Sequence, residues 1–330
     1  APLNQSGDSE GCSWKDGKVT TPKAFKEAYQ AFVDCGWQGI SHPVEYDGQG
    51  LPPSIGLICT EMIGSANWSW SMYSGLSHGA IRTLIKHGDD YQKRVYLTKL
   101  TRGEWSGTMC LTEAQCGSDL GLIRTKAEPD SDGTYRITGS KIFISAGDHD
   151  LTENIVHIVL ARLPESPKGS RGISLFLVPK ILVNEDSSLG EPNAVRCGSI
   201  EGKMGIKGSS TAVLNFDNAK AYLIGEKNNG LEYMFTYKNT ARIGIAIQGV
   251  CNSELAYQNS LPYAKERLSM RSLSGKKFPD KVADPIIVHP DVRKMLLTQK
   301  SISEGGRAMI YFAGKMIDDL EQCNDEKDYK

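Results

Sequence analysis

The spacing of apolar residues changes twice along the chain, and up to about residue 102 it has the period of helices. Apolar residues recur there three and four positions apart, which predicts amphipathic helices. The predicted helices cover residues 22–35, 54–63, 79–87 and 90–100. Pro22 at a first helical position and Gly36 after a last turn are typical helix boundaries. Residues 1–20 are polar and have no period, so we expect turns there.

From Trp105 to about Phe216 the apolar runs become short and rich in β-branched residues, which predicts strands. The predicted strands cover residues 106–111, 134–138, 141–145, 155–161, 173–178 and 211–216. Asp132 and Gly133 form a dipeptide that favours a hairpin turn with positive φ. The polar segment 183–192 is predicted to be a loop. Strands of this length and spacing indicate a β-barrel or β-sandwich of modest size.

After Gly230 the helical period returns and continues almost to the last residue. Residues 231–268 predict one long helix, bent at Pro262 because proline lacks the N–H that the helix ladder needs. Residues 276–285 are a charged connector, and residues 290–320 predict a second long helix. Two such helices cannot cover their own apolar faces, so they imply a helical bundle. The predicted domains are residues 1–102, whose start we expect to be truncated, then 103–225 and 226–330.

Composition and charge exclude several classes of protein. Apolar residues make up 39% and charged residues 23%, which is typical of a soluble globular protein. With 38 basic and 39 acidic residues we expect no nucleic-acid partner, and no apolar run is long enough to predict a membrane span. Eight cysteines without a C-x-x-C pair indicate reduced thiols in the cytoplasm. Six histidines show no metal spacing, and His157, inside an apolar strand, is predicted to be a core residue.

The segment from Gly103 to Gly147 carries the strongest candidate for a ligand site. The apolar runs 109–111 and 142–144 are followed by the hydroxyl residues Thr112 and Ser145, and a loop with two glycines lies between them. Hydroxyls and free peptide N–H groups suit a flat ligand with hydrogen-bonding edges and phosphate oxygens. On composition alone, two β-hairpins in an ordinary sheet remain the simpler interpretation.

The same segment resembles the flavin-binding middle domain of the acyl-CoA dehydrogenases. The resemblance rests on Met-Cys-Leu-Thr-Glu-Ala-Gln-Cys-Gly-Ser-Asp at residues 109–119 and Gly-Ser-Lys-Ile-Phe-Ile-Ser at 139–145. Residues 203–211, 215–217 and 225–231 resemble the closing strands of that domain, and the similarity runs from about Pro22 to the C-terminus. The implied fold is α+β and multidomain: an N-terminal helical domain, a middle β-domain that binds flavin and the first part of a C-terminal helical bundle.

Within this family the chain is most similar to the 3-methylmercaptopropionyl-CoA dehydrogenase group, through residues 151–157, 267–275 and 284–290. The resemblance implies FAD-dependent α,β-dehydrogenation of a short acyl-CoA, 3-methylmercaptopropionyl-CoA, to its 2-enoyl-CoA. It implies an electron-transfer flavoprotein as electron acceptor and assembly as a homodimer or homotetramer. Two alternatives stay open: a flavin acyl-CoA oxidase of the same fold, and a non-catalytic FAD-binding relative.

The family's site residues are carried over onto matching positions. The implied FAD contacts are Met109, Leu111, Thr112, Gly117, Ser118, Phe143, Ser145 and, toward the FAD of a neighbouring subunit, Arg267. The implied substrate contacts are Ser118, Asn239 and Arg242. Phe143 stands where the family usually has Trp, and Ser145 where it usually has Thr. Without the family, each arginine is better explained as part of a solvated helix face.

The catalytic base has no match in the chain. The family usually supplies a Glu from a Tyr-Glu-Gly-Thr motif, which does not occur here, and an alternative position for that Glu is occupied by Ala241. The Glu at the position of Glu113 has a structural role in the family. We therefore assign no catalytic residue within 1–330 and expect the base C-terminal to Lys330, in a longer polypeptide of which this chain is a portion.

One competing motif predicts a different class of enzyme. Gly-Leu-Ser-His-Gly at residues 75–79 matches the nucleophile elbow of α/β-hydrolases, with Ser77 as the nucleophile. That motif needs a buried strand before the serine, and the preceding run is too polar for one. In the family interpretation Trp68, Trp70 and Tyr73 shape the acyl pocket, while plain core aromatics are an equal alternative.

Overall fold

The computed structural model describes residues 1–323, which form two compact units. Unit 1 comprises residues 1–51 and 67–242, and unit 2 comprises 52–66 and the residues from 243 onwards. The helices are α1 (Pro2–Glu10), α2 (Phe25–Asp34), α3 (Pro53–Ala66), α4 (Trp68–His87), α5 (Asp90–Arg102), α6 (Gly230–Glu266) and α7 (Pro290–Gln322). The domain boundaries proposed from the sequence, after residues 102 and 225, stay a prediction.

The strands all lie in unit 1. They are β1 (Ser13–Lys15), β2 (Lys18–Thr20), β3 (Trp105–Cys110), β4 (Lys126–Pro129), β5 (Tyr135–Ser145), β6 (Asn154–Arg162), β7 (Ile173–Pro179), β8 (Ile181–Val183), β9 (Leu189–Pro192), β10 (Val195–Ile200) and β11 (Thr211–Ile224). The main sheet runs β10-β11-β5-β4-β6-β3, and β7 pairs with both β11 and β6. Strands β11, β5, β4, β6 and β7 therefore close into a ring, which agrees with the predicted small β-domain.

Strand β6 separates two hydrophobic cores. Val156, Ile158 and Leu160 pack in the cluster that also contains residues of α4 and α5, whereas Val159 and Ala161 belong to the cluster on the other side. Alternate residues of a strand point to opposite faces, so a strand buried on both sides reads as one apolar run. The predicted core position of His157 is confirmed: it is fully buried, and its Nδ1 lies 2.7 Å from Thr108 Oγ1.

Several local predictions were wrong, most of them because strand pairing, within hairpins as well as between distant segments, is not visible in the local pattern. Residues 1–20, expected to be turns, contain α1 and the β1–β2 hairpin, which the Trp14 Nε1 bond to the Cys197 carbonyl (3.1 Å) ties to β10. The expected loop 183–192 carries part of the β8–β9 hairpin. The two strands expected at 134–138 and 141–145 are one strand, β5, and β4 and β10 had no prediction.

Unit 2 consists of α3, the second part of α6 and α7. An ionic network connects these helices: Arg307 Nε lies 2.7 Å from Glu61 Oε1, and Arg307 Nη2 lies 2.9 Å from Glu254 Oε2. The predicted long helices are confirmed, and α6 continues through Pro262. The connector between them is closed by the buried Asp284, which accepts bonds from the amides of Ser272 and Phe278.

None of the helices within residues 1–323 combines the length and the apolar character needed to span a membrane.

Candidate functional site

The segment after β3 is held against β5 through two successive peptide carbonyls. The Ile142 amide donates to the Thr112 carbonyl (2.9 Å), and Lys141 Nζ donates to the Leu111 carbonyl (2.9 Å). In a trans peptide the C=O of one residue and the N–H of the next point in opposite directions. The Thr112 N–H therefore points away from Lys141, and it finds no hydrogen-bond partner among residues 1–323.

Phe143 lies on a bulge in β5 with its ring in the open. Lys141 pairs with Leu214 and Ile144 with Ala212, so Ile142 and Phe143 both stand opposite one residue of β11. Phe143 has a φ of +58°, and 58% of its surface is exposed. A left-handed conformation is rare for an aromatic residue, and strained residues at bulges cluster beside functional sites. The bulge turns an aromatic ring outward next to Thr112.

Glu113 fixes the start of the loop that follows Thr112. Its carboxylate accepts bonds from Lys141 Nζ (2.8 Å), the Arg124 amide (2.7 Å) and both the amide (3.0 Å) and hydroxyl (2.6 Å) of Thr125. Glu113 is 5% exposed and Lys141 is 0% exposed. These bonds join the two ends of the loop to β5, and the loop between them is held as a unit.

The Glu113–Lys141 pair is ionised. Burial by itself raises the pKa of the Glu113 carboxyl, but Lys141, Thr125 and the Arg124 amide outweigh burial and lower that pKa to about 2. Burial lowers the pKa of Lys141, and the neighbouring Glu113 carboxylate opposes that shift. A carboxylate with this many donors is a structural anchor and a poor proton acceptor.

Seven of the predicted site residues lie on β3, on β5 and on the loop that connects β3 to β4. Met109 is half-buried on β3, and Leu111 faces the core, so only its main chain is available to a ligand. Gly117 and Ser118 are exposed, and a Cβ on Gly117 would lie 3.3 Å from Thr112 Cγ2. Ser145 ends β5 and pairs with Thr211 of β11.

The three remaining predicted residues lie on or just after α6. Arg242 donates through Nη1 to Asn239 Oδ1 (2.7 Å), and its guanidinium lies 5.6 Å from the Phe235 ring centre. Both Asn239 and Arg242 are exposed and belong to unit 1. Arg267 is exposed in unit 2, directly after the end of α6, and its carbonyl accepts a bond from the Ile286 amide (2.8 Å).

The nucleophile-elbow hypothesis is wrong. Ser77 lies in the middle of α4 rather than after a strand, it is fully buried, and its Oγ accepts a bond from the Gly107 amide (3.0 Å). Trp70 and Tyr73 are core residues whose polar atoms donate to the carbonyls of Phe25 and Gly208. No group of three His, Cys, Asp or Glu side chains in the described part of the chain is placed to hold a metal.

Lys141 is the site residue that the sequence predictions missed. The only local sign of it in the sequence is that this charged residue directly precedes the apolar run 142–144. A lysine there is ordinarily solvent-exposed. Its partner, Glu113, is 28 positions away in the sequence, so the pairing became visible only when β3 and β5 were brought together.

Two family models match the chain. The acyl-CoA dehydrogenase middle domain matches residues 108–219, and the acyl-CoA dehydrogenase N-terminal domain matches residues 13–104. The seven predicted site residues between 109 and 145 therefore lie within the matched middle domain, whereas Asn239, Arg242 and Arg267 lie outside it.

Individual proteins are also similar over most of this chain. A 3-methylmercaptopropionyl-CoA dehydrogenase of Ruegeria pomeroyi is 48% identical over 99% of the chain and 55% of its own length. A butyryl-CoA dehydrogenase of Syntrophomonas wolfei is 39% identical over 94% of the chain and 52% of its own length. The chain thus spans about half the length of these curated relatives.

The solved structure of butyryl-CoA dehydrogenase from Megasphaera elsdenii has the same fold. It superposes with a TM-score of 0.78 at 24% identity, covering 95% of this chain and 74% of that chain. The expected α+β multidomain fold is confirmed.

Proposed function

Because the chain belongs to the acyl-CoA dehydrogenase family, we propose that it holds FAD beside Thr112, Phe143 and Ser145. The reaction is the α,β-dehydrogenation of an acyl-CoA thioester to its 2-enoyl-CoA. The chain covers about half of its relatives, so this activity is assigned to the protein as a whole.

The observation that carries the proposal is a strained, exposed aromatic ring beside donors that have no partner among residues 1–323. Phe143 presents its ring from a bulge, and Thr112 presents a peptide N–H together with a half-buried hydroxyl. An isoalloxazine has a flat apolar face and a hydrogen-bonding edge, and these two groups complement it. Met109 and Ser145 extend the same surface along β3 and β5, and Gly117 and Ser118 border it from the loop.

FAD and the chain's own residues have different roles in this reaction. FAD, when bound, supplies the acceptor for the hydride that leaves the β-carbon. The chain's own residues orient and polarise: Thr112 donates to the hydrogen-bonding edge, and the Phe143 ring covers apolar surface and excludes water. Donors fixed before the reaction stabilise developing charge more effectively than donors that must reorganise.

The proposed substrate is 3-methylmercaptopropionyl-CoA, after the name of the Ruegeria relative. Arg242 is exposed, and its guanidinium suits the phosphates of CoA because a planar fork donates two bonds at once. Asn239 Oδ1 accepts a hydrogen bond from Arg242 Nη1 (2.7 Å), which orients the guanidinium. Ser118 is exposed and can contact the thioester arm of CoA.

No residue within 1–330 is assigned as the base that takes the α-proton. Glu113 is the acidic residue nearest to Thr112 in the sequence, and its carboxylate is occupied by Lys141, Arg124 and Thr125. A pKa of about 2 makes it a weak base. Ala241 occupies the alternative family position and has no titratable group.

The wider assignments rest on the family resemblance. They are electron transfer to an electron-transfer flavoprotein, a cytoplasmic location, and a homodimer or homotetramer in which Arg267 reaches the FAD pyrophosphate of a neighbouring subunit. The three-domain division into residues 1–102, 103–225 and 226–330 belongs to the same proposal. Sedimentation with and without FAD tests the oligomeric state, and an Arg267→Ala variant should weaken FAD binding only in the oligomer.

The decisive test follows flavin absorbance in the purified protein. We expect the protein to bind FAD and the bound flavin to bleach anaerobically with short acyl-CoAs, fastest with 3-methylmercaptopropionyl-CoA. A correctly folded protein, judged by circular dichroism, that refuses FAD would overturn the proposal.

The same experiment separates the two alternatives. Admitting air after reduction gives rapid reoxidation with peroxide release in an oxidase, and slow reoxidation in a dehydrogenase. A protein that binds FAD but bleaches with no member of an acyl-CoA panel is a non-catalytic relative.

A further inference from the structure

We propose that Lys141 is a positioning residue of the flavin site: its buried ammonium clamps the segment after β3 to β5 and so sets the direction in which Thr112 presents its donors. The inference rests on the proposed FAD binding and concerns a residue that touches the site only through its neighbours.

The ammonium group of Lys141 is buried and bonded on two sides. Lys141 is 0% exposed, and its Nζ donates to the Leu111 carbonyl (2.9 Å) and to Glu113 Oε1 (2.8 Å). A buried ammonium is unfavourable unless its donors are used and its charge is paired. Two of the three N–H donors are used and the charge is paired with Glu113, so the side chain has a fixed position.

Two hydrogen bonds from β5 set the direction of the peptide groups at Leu111 and Thr112. Lys141 Nζ donates to the Leu111 carbonyl, and the amide of the next residue, Ile142, donates to the Thr112 carbonyl (2.9 Å). With the Leu111 carbonyl drawn toward Lys141, the trans peptide turns the Thr112 N–H to the opposite side. That N–H has no protein partner among residues 1–323, so the ammonium aims an unused donor at the ligand surface.

The same ion pair also holds the loop that follows Thr112. Glu113, held by Lys141, also accepts bonds from the amides of Arg124 (2.7 Å) and Thr125 (3.0 Å). One ion pair therefore closes the loop that contains Gly117 and Ser118 and ties it to the strand that contains Phe143. Neutralising either partner leaves the other charge buried without its counter-charge, so we expect the loop to open or take in water.

The test uses Lys141→Met, Lys141→Arg and Glu113→Gln, with Lys220→Met as the control. Lys220 Nζ also bonds a carboxylate, Asp132 Oδ2 (2.8 Å), in the same sheet, but that pair is partly exposed on the surface. The control thus removes a lysine and an ion pair without touching the site.

Two measurements are made on each variant. Hydrogen exchange without FAD follows the amides of Ile142, Arg124 and Thr125, and an FAD titration gives Kd and the spectrum of the bound flavin. We expect Lys141→Met and Glu113→Gln to speed exchange at these amides, weaken FAD binding by about tenfold or more and shift the flavin spectrum. Lys141→Arg should recover part of the affinity, and Lys220→Met should match the unaltered protein.

Unchanged exchange and unchanged FAD affinity in Lys141→Met would overturn the inference, as would an equal effect of Lys220→Met. If Lys141→Met does not fold, Glu113→Gln and Lys141→Arg decide the matter with the same two measurements. Failure of the unaltered protein to bind FAD would reject the proposed function, while the exchange measurement still decides whether Lys141 clamps the loop.

Discussion

Phe143 and Glu113 each adopt a locally unfavourable state that fixes the position of a group at this site. Phe143 keeps a left-handed backbone within strand β5, two residues before its end, and Glu113 keeps a charge in a buried setting. Each state is unfavourable in isolation and persists because the surrounding structure stabilises it. The bulge opposite β11 imposes the backbone conformation of Phe143. Donors from Lys141, Arg124 and Thr125 stabilise the charge of Glu113.

The free energy of unfolding of the Phe143→Gly variant should be about 1 kcal/mol higher than that of the Phe143→Ala variant, because glycine accepts positive φ without strain. Both variants lose the exposed ring, so both should bind FAD more weakly than the parent protein. Urea denaturation and FAD titration check the two effects. An Ala variant as stable as the Gly variant would show that the bulge stores no strain.

Glu113→Gln should lower the free energy of unfolding at pH 7 by about 3 kcal/mol, since it leaves the Lys141 ammonium unpaired. The pKa of Glu113 is lowered in the folded protein from 4.5 to about 2, so its stabilisation is complete above about pH 4.5 and is lost as the pH falls toward 2. The difference between the parent and the variant should therefore shrink in urea titrations at pH 3. A difference that does not depend on pH would contradict the ionised pair.

At the scale of elements, periodicity predicts where regular structure lies but not always how far it extends. The long helices α6 and α7 were predicted to within a few residues, because their apolar spacing is sustained over many turns. Helix α4 was predicted only from residue 79, whereas it begins at Trp68 and its serines are buried. Packing against β3 decides that extension, and a run of serines gives no local sign of it.

Gly79→Ala in α4 should destabilise the protein by about 1–3 kcal/mol, although alanine is the better helix former. A Cβ at that position would lie 2.3 Å from the ring of the buried Tyr237 in α6. Gly75→Ala in the same helix meets open space and should stabilise by about 0.5–1 kcal/mol. Thermal unfolding of both variants measures the contrast, and equal effects would exclude close packing of α4 on α6.

At the scale of the whole molecule, both large hydrophobic cores belong to unit 1. Unit 2 depends more on ion pairs such as Arg307–Glu61, and α7 exposes apolar side chains at a spacing of seven residues: Met295, Ile302, Met309 and Met316. Local stability follows the density of buried apolar contacts, so the two units differ in resistance to opening.

Amides of β6 and β7 should therefore exchange more slowly than amides in the middle of α7, by about tenfold or more in native-state hydrogen exchange. Exchange in α7 as slow as in β6 would show that unit 2 is as strongly stabilised as the double-sided core of unit 1.

The amino-acid sequence by itself determined the succession of helices, strands and helices, the family, and the segments 109–119 and 139–145 that form the candidate site. These features are local, since a period of apolar residues or a motif is complete within a few turns or one strand. Only the tertiary structure decided the left-handed turn at Phe143, the direction of the Thr112 N–H and the pairing of Lys141 with Glu113. Each of these depends on contacts between segments far apart in the chain, and a local pattern of residues does not specify which distant segments meet.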